Sequence, residues 1–132
     1  MANNLKRKHP TSLTQNTTIG VAFPLDEVNM FKGTKTETEQ LKSNFLNLLL
    51  TEPGERVMEP NFGIGLKKLL FESSVDEDSL NEKINDQAKK YIPGINLLGV
   101  YSRLINHTLS IKIDYIYNLS GKPDSIKLNF LQ

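Results

Sequence analysis

The side chains best suited to acid–base chemistry are three glutamates in one glycine- and proline-rich stretch, Glu52, Glu55 and Glu59, with Arg56 among them. Hydrolysis of a glycosidic bond needs a carboxylic acid of raised pKa and a second carboxylate across the scissile bond. A neighbouring cation favours the ionised carboxylate, which is the wrong direction for a general acid. No opposed carboxylate can be identified elsewhere, so structural ion pairing is the expected role.

Other chemistries have less support in the sequence. The chain has no cysteine, and its two histidines, His9 and His107, are far apart, so neither a metal site nor a nucleophilic triad is indicated. The pair of glycines in Gly63-Ile64-Gly65 lacks the third glycine of a dinucleotide-binding loop. The net charge is +1 and no apolar run could span a membrane, so neither nucleic acid nor membrane is expected as a partner. We predict no catalytic residue, no metal and no cofactor.

The stretch that holds the glutamates, Thr51 to Glu72, lies between two segments of helical pattern. Its prolines and glycines keep most of it from being helix, because proline lacks a backbone N–H and glycine favours turns. Pro53-Gly54 predicts one turn and Asn61-Phe62-Gly63 another. We expect a structured connection in which Glu55 and Arg56 are held in place and the phenylalanine points inward.

The strongest helical pattern runs from Gly33 to Thr51 and must position the start of this loop. It begins with two overlapping capping boxes, Thr34-x-x-Glu37 and Thr36-x-x-Glu39. A wide apolar face predicts that this is the central core helix, packed against a sheet. The residues of that face are Leu41, Phe45, Leu46, Leu48, Leu49 and Leu50.

Two further helices are expected after the loop. Leu66–Phe71 forms less than two turns, so it must dock on the rest of the protein. A long helix runs from about Asp76 to Tyr91, with a capping pattern at Ser79-x-x-Glu82 and a stop at Pro93-Gly94. Its apolar face contains Leu80, Ile84, Ala88, Tyr91 and Ile92.

The rest of the chain has the alternation of strands. Runs at 95–104 and 108–118 and a final run from Ser125 to Leu131 predict an antiparallel meander with one wet face. The last run has no proline after Pro123, and it is a candidate open edge for pairing with another chain. Its residues are Ser125, Ile126, Lys127, Leu128, Asn129, Phe130 and Leu131. A short strand from Thr18 to Leu25 could instead cover that edge or offer its own.

These elements predict an α+β fold in which two long helices and one short helix pack on a small antiparallel sheet. At 132 residues the chain is expected to contain one domain, covering residues 18–132. Residues 1–17 are polar and broken by Pro10. They are predicted to form an N-terminal arm that is frayed in the free protein, or that orders on a partner.

One motif resembles a known family. The run Gly54-Glu55-Arg56-Val57-Met58-Glu59-Pro60-Asn61-Phe62-Gly63, followed by a helix ending Leu69-Leu70-Phe71-Glu72, is similar to the signature of a phage baseplate wedge family. These proteins are the sheath initiators of contractile tails, with relatives in the type VI secretion baseplate, and some classifications label them lysozyme-like. That label, together with the loop carboxylates, makes peptidoglycan hydrolysis the alternative function. The resemblance covers about residues 30 to 130. The arginine is shifted by one place against members that have Glu-Pro-Arg in this loop.

The resemblance implies a structural protein of the virion tail baseplate, assembled in the host cytoplasm. Its implied partners are other wedge proteins, the tail tube and the first ring of sheath subunits, with copies around a sixfold axis. The implied docking loop consists of Glu55, Arg56, Pro60, Phe62 and Gly63. The final strand would pair with the first sheath subunits.

Overall fold

The structure is a computed structural model that describes residues 19–23, 33–71 and 74–131. The predicted N-terminal arm and the end of the predicted N-terminal strand lie outside these residues. The described part contains two α-helices, a short 3₁₀ helix and two antiparallel sheets. This confirms the predicted α+β class.

Helix α1 spans Glu37–Leu50 and begins at only one of the two predicted capping boxes. Thr36 is the N-cap: its hydroxyl accepts from the N–H of Glu39, whose carboxylate accepts from the N–H of Thr36. The capping prediction for Thr34 is wrong, because Thr34 lies in a strand and its hydroxyl donates to Gln40. The helix is therefore about one turn shorter at its start than predicted.

The chain then forms a 3₁₀ helix at Leu66–Phe71 and helix α2 at Glu77–Tyr91. The N-cap of α2 is Asp76, whose carboxylate accepts from the backbone N–H groups of Asp78 and Ser79. Ser79 is thus inside the helix and the predicted capping role for it is wrong. The predicted apolar face of α2 is buried except for the half-buried Tyr91.

The main sheet has three antiparallel strands in the order β3-β4-β5: β3 Ile95–Ile105, β4 Thr108–Tyr117 and β5 Pro123–Leu131. Asn106 and His107 join β3 to β4 with positive φ values of 46° and 64°. Positive φ at both central residues is the pattern of a type I′ turn, whose twist matches that of the strands. Strand β3 therefore ends at Ile105, one residue beyond the predicted end at Leu104.

The predicted N-terminal strand is only partly confirmed. Strand β1, Gly20–Val21, pairs with β2, Gly33–Thr34, in a separate two-stranded ribbon and does not cover the edge of β5. The alternating apolar residues Ile19, Val21 and Phe23 are exposed. A two-residue ribbon against α1 buries too little surface to hold them inside.

The core lies between the helices and one face of the main sheet. Leu109, Ile111, Ile113, Tyr115 and Tyr117 of β4 are all buried, and the residues between them are half-buried, which confirms the predicted alternation. Phe45 of α1 is fully buried and packs edge-to-face on Tyr115, with 5.2 Å between ring centroids. This contact confirms that α1 packs on the sheet.

Candidate functional site

The loop between α1 and the 3₁₀ helix is a hydrogen-bonded structure. The N–H of Gly54 donates to the carbonyl of Pro60 at 2.8 Å, which closes the loop on itself. The N–H of Ile64 donates to Leu48 at 3.0 Å, and the N–H of Gly65 donates to Thr51 at 2.9 Å. Because both of these acceptors belong to the end of α1, the loop is tied to the core helix.

Gln87 of α2 holds the far corner of the loop. Its side-chain oxygen accepts from the N–H of Gly63 at 3.3 Å, and its nitrogen donates to the carbonyl of Asn61 at 2.9 Å. Phe62, between them, is buried and packs edge-to-face on Tyr91, with 4.9 Å between centroids. The predicted inward position of Phe62 is confirmed. Gln87 was missed, although a glutamine on the apolar face of a helix is the kind of residue that satisfies buried backbone groups.

Glu55 and Arg56 are both held in the loop, but by different partners. The carboxylate of Glu55 accepts from the N–H of Glu52 at 3.0 Å. The guanidinium of Arg56 lies over the ring of Phe62, 3.9 Å from its centroid, and 3.5 Å from the carboxylate of Glu59. Arginine stacks well on an aromatic face, so part of its binding capacity is used inside the loop.

The loop carboxylates do not form a hydrolytic site. Glu52 pairs with Lys68 at 3.5 Å and Glu59 pairs with Arg56, and the two carboxylate side chains are 44% and 50% exposed. A general acid for glycoside cleavage needs an apolar environment that keeps its proton on. The arrangement gives no support to the hydrolase alternative.

The tip of the loop carries two exposed apolar side chains. Val57 is 93% exposed and Met58 is 92% exposed, more than any other large apolar side chain in the described part of the chain. A valine and a methionine held out on a tied loop can enter an apolar pocket of a partner. The sequence reasoning did not single them out, because exposure of a loop residue cannot be read from periodicity.

The two edges of the main sheet differ in what their outward N–H groups contact. In an antiparallel ladder, alternate residues bond the neighbouring strand and the others face away from it. Since Tyr117 donates to Lys122, the even-numbered residues of β5 bond β4 and the odd-numbered ones face outward. No described strand pairs with the outward side of β5, and the 3₁₀ helix at Leu66–Phe71 lies close to this strand.

A polar cluster fixes the start of β5. The Asp124 carboxylate accepts from the hydroxyls of Tyr115 and Tyr117, both at 3.0 Å, from Lys42 of α1 at 3.2 Å and from the N–H of Ser125 at 2.7 Å. Burial acts to raise the pKa of Asp124, but these hydrogen bonds outweigh burial and the pKa lies below its ordinary value. Burial, with help from Tyr117 and Asp124, raises the pKa of Tyr115. The cluster joins α1, β4 and β5.

The edge formed by β3 is partly covered. The N–H of Ser102 donates to Glu77 of α2 at 2.6 Å and its hydroxyl donates to the same oxygen at 2.7 Å. These side-chain and backbone bonds from Ser102 lower the pKa of Glu77. The N–H of Ile95 donates to Ile92, and the register shifts at Leu98. Bulges and covering groups of this kind prevent pairing with another strand.

Neither a metal centre nor a membrane span is present in the described part of the chain. Across residues 19–23, 33–71 and 74–131, no group of three or more histidine, aspartate or glutamate side chains could hold a metal ion. No described helix is both long and apolar enough to cross a membrane.

The fold is shared with chains of contractile-tail baseplates and with a tail protein. A Geobacter sulfurreducens structure described as a tail lysozyme has a TM-score of 0.61 at 23% identity, over 74% of this chain and 93% of that chain. A chain of the type VI secretion baseplate complex has a TM-score of 0.53 at 13% identity, over 70% and 92%. A chain of the sixfold-symmetrised anti-feeding prophage baseplate has a TM-score of 0.50 at 20% identity, over 84% and 82%. The fold of this chain therefore also occurs in two baseplate complexes.

Sequence comparison defines the family within this class. The profile of the family described as baseplate wedge protein gp25 matches residues 35–122, more than half of the chain. Baseplate wedge protein gp25 of Enterobacteria phage T4 is 26% identical over 94 residues, which are 70% of this chain and 71% of that protein. The chain belongs to the gp25 baseplate wedge family, as the motif resemblance predicted. Membership in a structural family agrees with the prediction that it is not an enzyme.

Proposed function

We propose that the chain is a wedge component of a virion tail baseplate that starts sheath polymerisation by offering the outward edge of β5 to the first sheath subunits. Copies stand around the sixfold tail axis, above the tail tube, after assembly in the host cytoplasm. The carrying observation is the difference between the sheet edges. No described strand pairs with the outward side of β5, whereas the β3 edge is partly covered by Glu77 and interrupted by a register shift.

The physical reason for a template lies in how a sheath grows. Each sheath subunit is held by the ring before it, so the first ring needs a surface that supplies the same grip. An open strand edge does this, because its N–H and C=O groups form a ladder with any extended segment of suitable register. A rigid edge orders only the incoming segment, and the Asp124 cluster supports that rigidity.

The decisive variant is Lys127→Pro, because Lys127 is exposed and its N–H faces outward. Proline removes that donor and leaves the hydrogen bonds between β4 and β5 in place. Lys127→Ala is the matched control, since it removes the side chain and keeps the donor. We expect the free energy of unfolding of each isolated variant to lie within about 1 kcal/mol of that of the parent protein.

The assay supplies each variant to a phage that lacks its own copy and images the tails by electron microscopy. Lys127→Pro is expected to give baseplates without sheath, whereas Lys127→Ala still gives sheathed tails. Removal of Asn129–Gln132 is a second test of the same edge. Normal sheathed tails from both Lys127→Pro and the truncation would refute the template.

We also propose that the loop of Glu55, Arg56, Pro60, Phe62 and Gly63 docks on a neighbouring wedge protein. The bonds to α1 and Gln87 support a fixed shape, and Val57 and Met58 supply the exposed apolar contact. Arg56 retains a side chain that is 41% exposed, with donors free to bond a partner's carboxylates.

Two variants separate the contributions of this loop. Val57→Ser with Met58→Ser removes the exposed apolar atoms and is expected to block entry into baseplates while the melting temperature stays within about 2 °C, because neither side chain packs in the monomer. Arg56→Ala also loses the stacking on Phe62, so it is expected to destabilise the monomer by about 1 kcal/mol as well as weaken docking. Normal incorporation of both variants into baseplates would refute docking through this loop.

A further inference from the structure

The proposed pairing edge has a defined length. Pro123 has no N–H, and the outward N–H of Ser125 is taken by the Asp124 carboxylate at 2.7 Å. The outward donors that remain in β5 are those of Lys127, Asn129 and Leu131. They span about 14 Å of strand, from the usual rise per residue. An added strand therefore finds a ladder only along the last part of β5.

The outer face beside this ladder has an uncompensated positive charge. Lys127 lies directly across from Lys112 of β4. Lys112 is paired with Asp114 at 2.9 Å, whereas no described carboxylate contacts Lys127. Like charges in directly opposed positions are unfavourable, and an opposite charge in the next strand would relieve this.

The other side chains of this face complete the pattern. The side-chain oxygen of Asn129 already accepts a hydrogen bond from Ser110 at 2.7 Å, so this oxygen has a partner within the sheet. Leu131 is 80% exposed and has apolar surface to bury. Residues two apart in a strand share a face. Along this face of β5 the side chains are therefore cationic at Lys127, neutral at Asn129 and apolar at Leu131.

We propose that the segment that pairs with β5 is a short extended arm of a sheath subunit, with a carboxylate side chain opposite Lys127 and an apolar side chain four residues away, opposite Leu131. The proposal rests on the function proposed above and adds the chemistry of the partner strand to it. The carboxylate neutralises Lys127 and fixes the register, since a shift of two residues moves it away from the charge.

Lysine on an edge strand also has a purely protective use, because a charge there discourages pairing between two copies of a protein. Lys127→Glu separates this use from the proposed one. Glutamate keeps a charge on the edge, so a protective role survives the substitution. If the partner strand carries a carboxylate opposite residue 127, however, Lys127→Glu places two negative charges next to each other. Glutamate opposite Lys112 also replaces a repulsion with an attraction, so the isolated protein should remain at least as stable as the parent.

The experiment measures the fraction of sheathed tails made with Lys127→Glu, Lys127→Gln and Lys127→Pro in the phage that lacks its own copy. We expect Lys127→Glu to reduce that fraction about tenfold, because it reverses the charge and turns an attraction into a repulsion. Lys127→Gln should reduce it less, because it only removes the charge. Selection for restored growth of the Lys127→Glu phage should then yield sheath variants in which an acidic residue of an extended arm becomes lysine or arginine.

Two outcomes distinguish failure of this proposal from failure of the proposed function. Normal sheaths with Lys127→Glu but none with Lys127→Pro would overturn the acidic partner and leave strand pairing intact. Normal sheaths with both variants would overturn strand pairing itself. Restoring substitutions that lie only outside the sheath protein would also overturn the assignment of the partner.

Discussion

Gly63 offers the sharpest test of how the loop is built. Its φ is +112°, and a Cβ placed there would collide with the carbonyl oxygen of Thr51. That oxygen is also the acceptor for the N–H of Gly65. Gly54, in the same loop, has a φ of +90° but open space around the position of a Cβ. Gly63→Ala and Gly54→Ala therefore share the backbone strain and differ in the collision.

The expected magnitudes follow from these two terms. Positive φ costs an alanine about 1–2 kcal/mol. At Gly63 the chain must also move away from Thr51, which breaks the bond from Gly65 and weakens the bond to Gln87, at about 1 kcal/mol each. We expect Gly63→Ala to destabilise the protein by about 3–4 kcal/mol and Gly54→Ala by about 1–2 kcal/mol. The larger loss is a substantial share of a typical domain stability of about 5–15 kcal/mol.

Urea unfolding of both variants, followed by circular dichroism, measures the difference. With a slope of about 2 kcal/mol per molar urea, the midpoint should fall by about 1.5–2 M for Gly63→Ala and by about 0.5–1 M for Gly54→Ala. Equal shifts would show that the contact with Thr51 does not hold the loop, and would refute the reasoning about its fixed shape.

The remaining predictions concern the core and the response to acid. Phe45→Ala should lower the free energy of unfolding measured in urea by about 3–5 kcal/mol, because Phe45 is fully buried against Tyr115. Phe71→Ala is the control and should have little effect, because that side chain is 89% exposed. An unchanged midpoint for Phe45→Ala would contradict the placement of α1. Since the pKa of Asp124 is lowered in the folded state, its contribution is present above the unfolded pKa and is lost as pH falls through the folded pKa. The unfolding midpoint of Asp124→Asn should therefore be lower than that of the parent at pH 7, with a gap that narrows as pH falls below the ordinary pKa of an aspartate. A gap independent of pH would contradict the assignment.

The sequence was sufficient to predict which side of a helix or strand is buried when the apolar residues follow the period of that element. The alternation of β4 and the apolar faces of α1 and α2 were predicted correctly, because a period of two or of 3.6 leaves one solution for which side is inside. Pro93-Gly94 predicted the end of α2 for a local reason, since proline and glycine cannot continue a helix favourably.

Choices between neighbouring alternatives could not be made from the sequence. Two capping boxes overlapped at the start of α1. Thr34 pairs with Gly20 in the two-stranded ribbon, which leaves Thr36 as the cap. The pattern at Ser79 predicted a cap for α2, whereas Asp76 is the cap in the structure and Glu77, the next residue, contacts Ser102. Gln87 and the outward N–H groups of β5 became visible only with the register of the chain, because their roles depend on contacts distant in sequence.

The difference between the two edges also sets the number of partners that this sheet can accept. A sheet with two open edges can extend in both directions and form a fibre, whereas a sheet with one open edge can accept a single strand. Two free copies that paired through β5 would form a closed, edge-to-edge pair that cannot extend further. The carboxylate of Glu77 on the N–H of Ser102 thus limits strand pairing at the β3 edge and leaves the β5 edge as the one where a strand can be added.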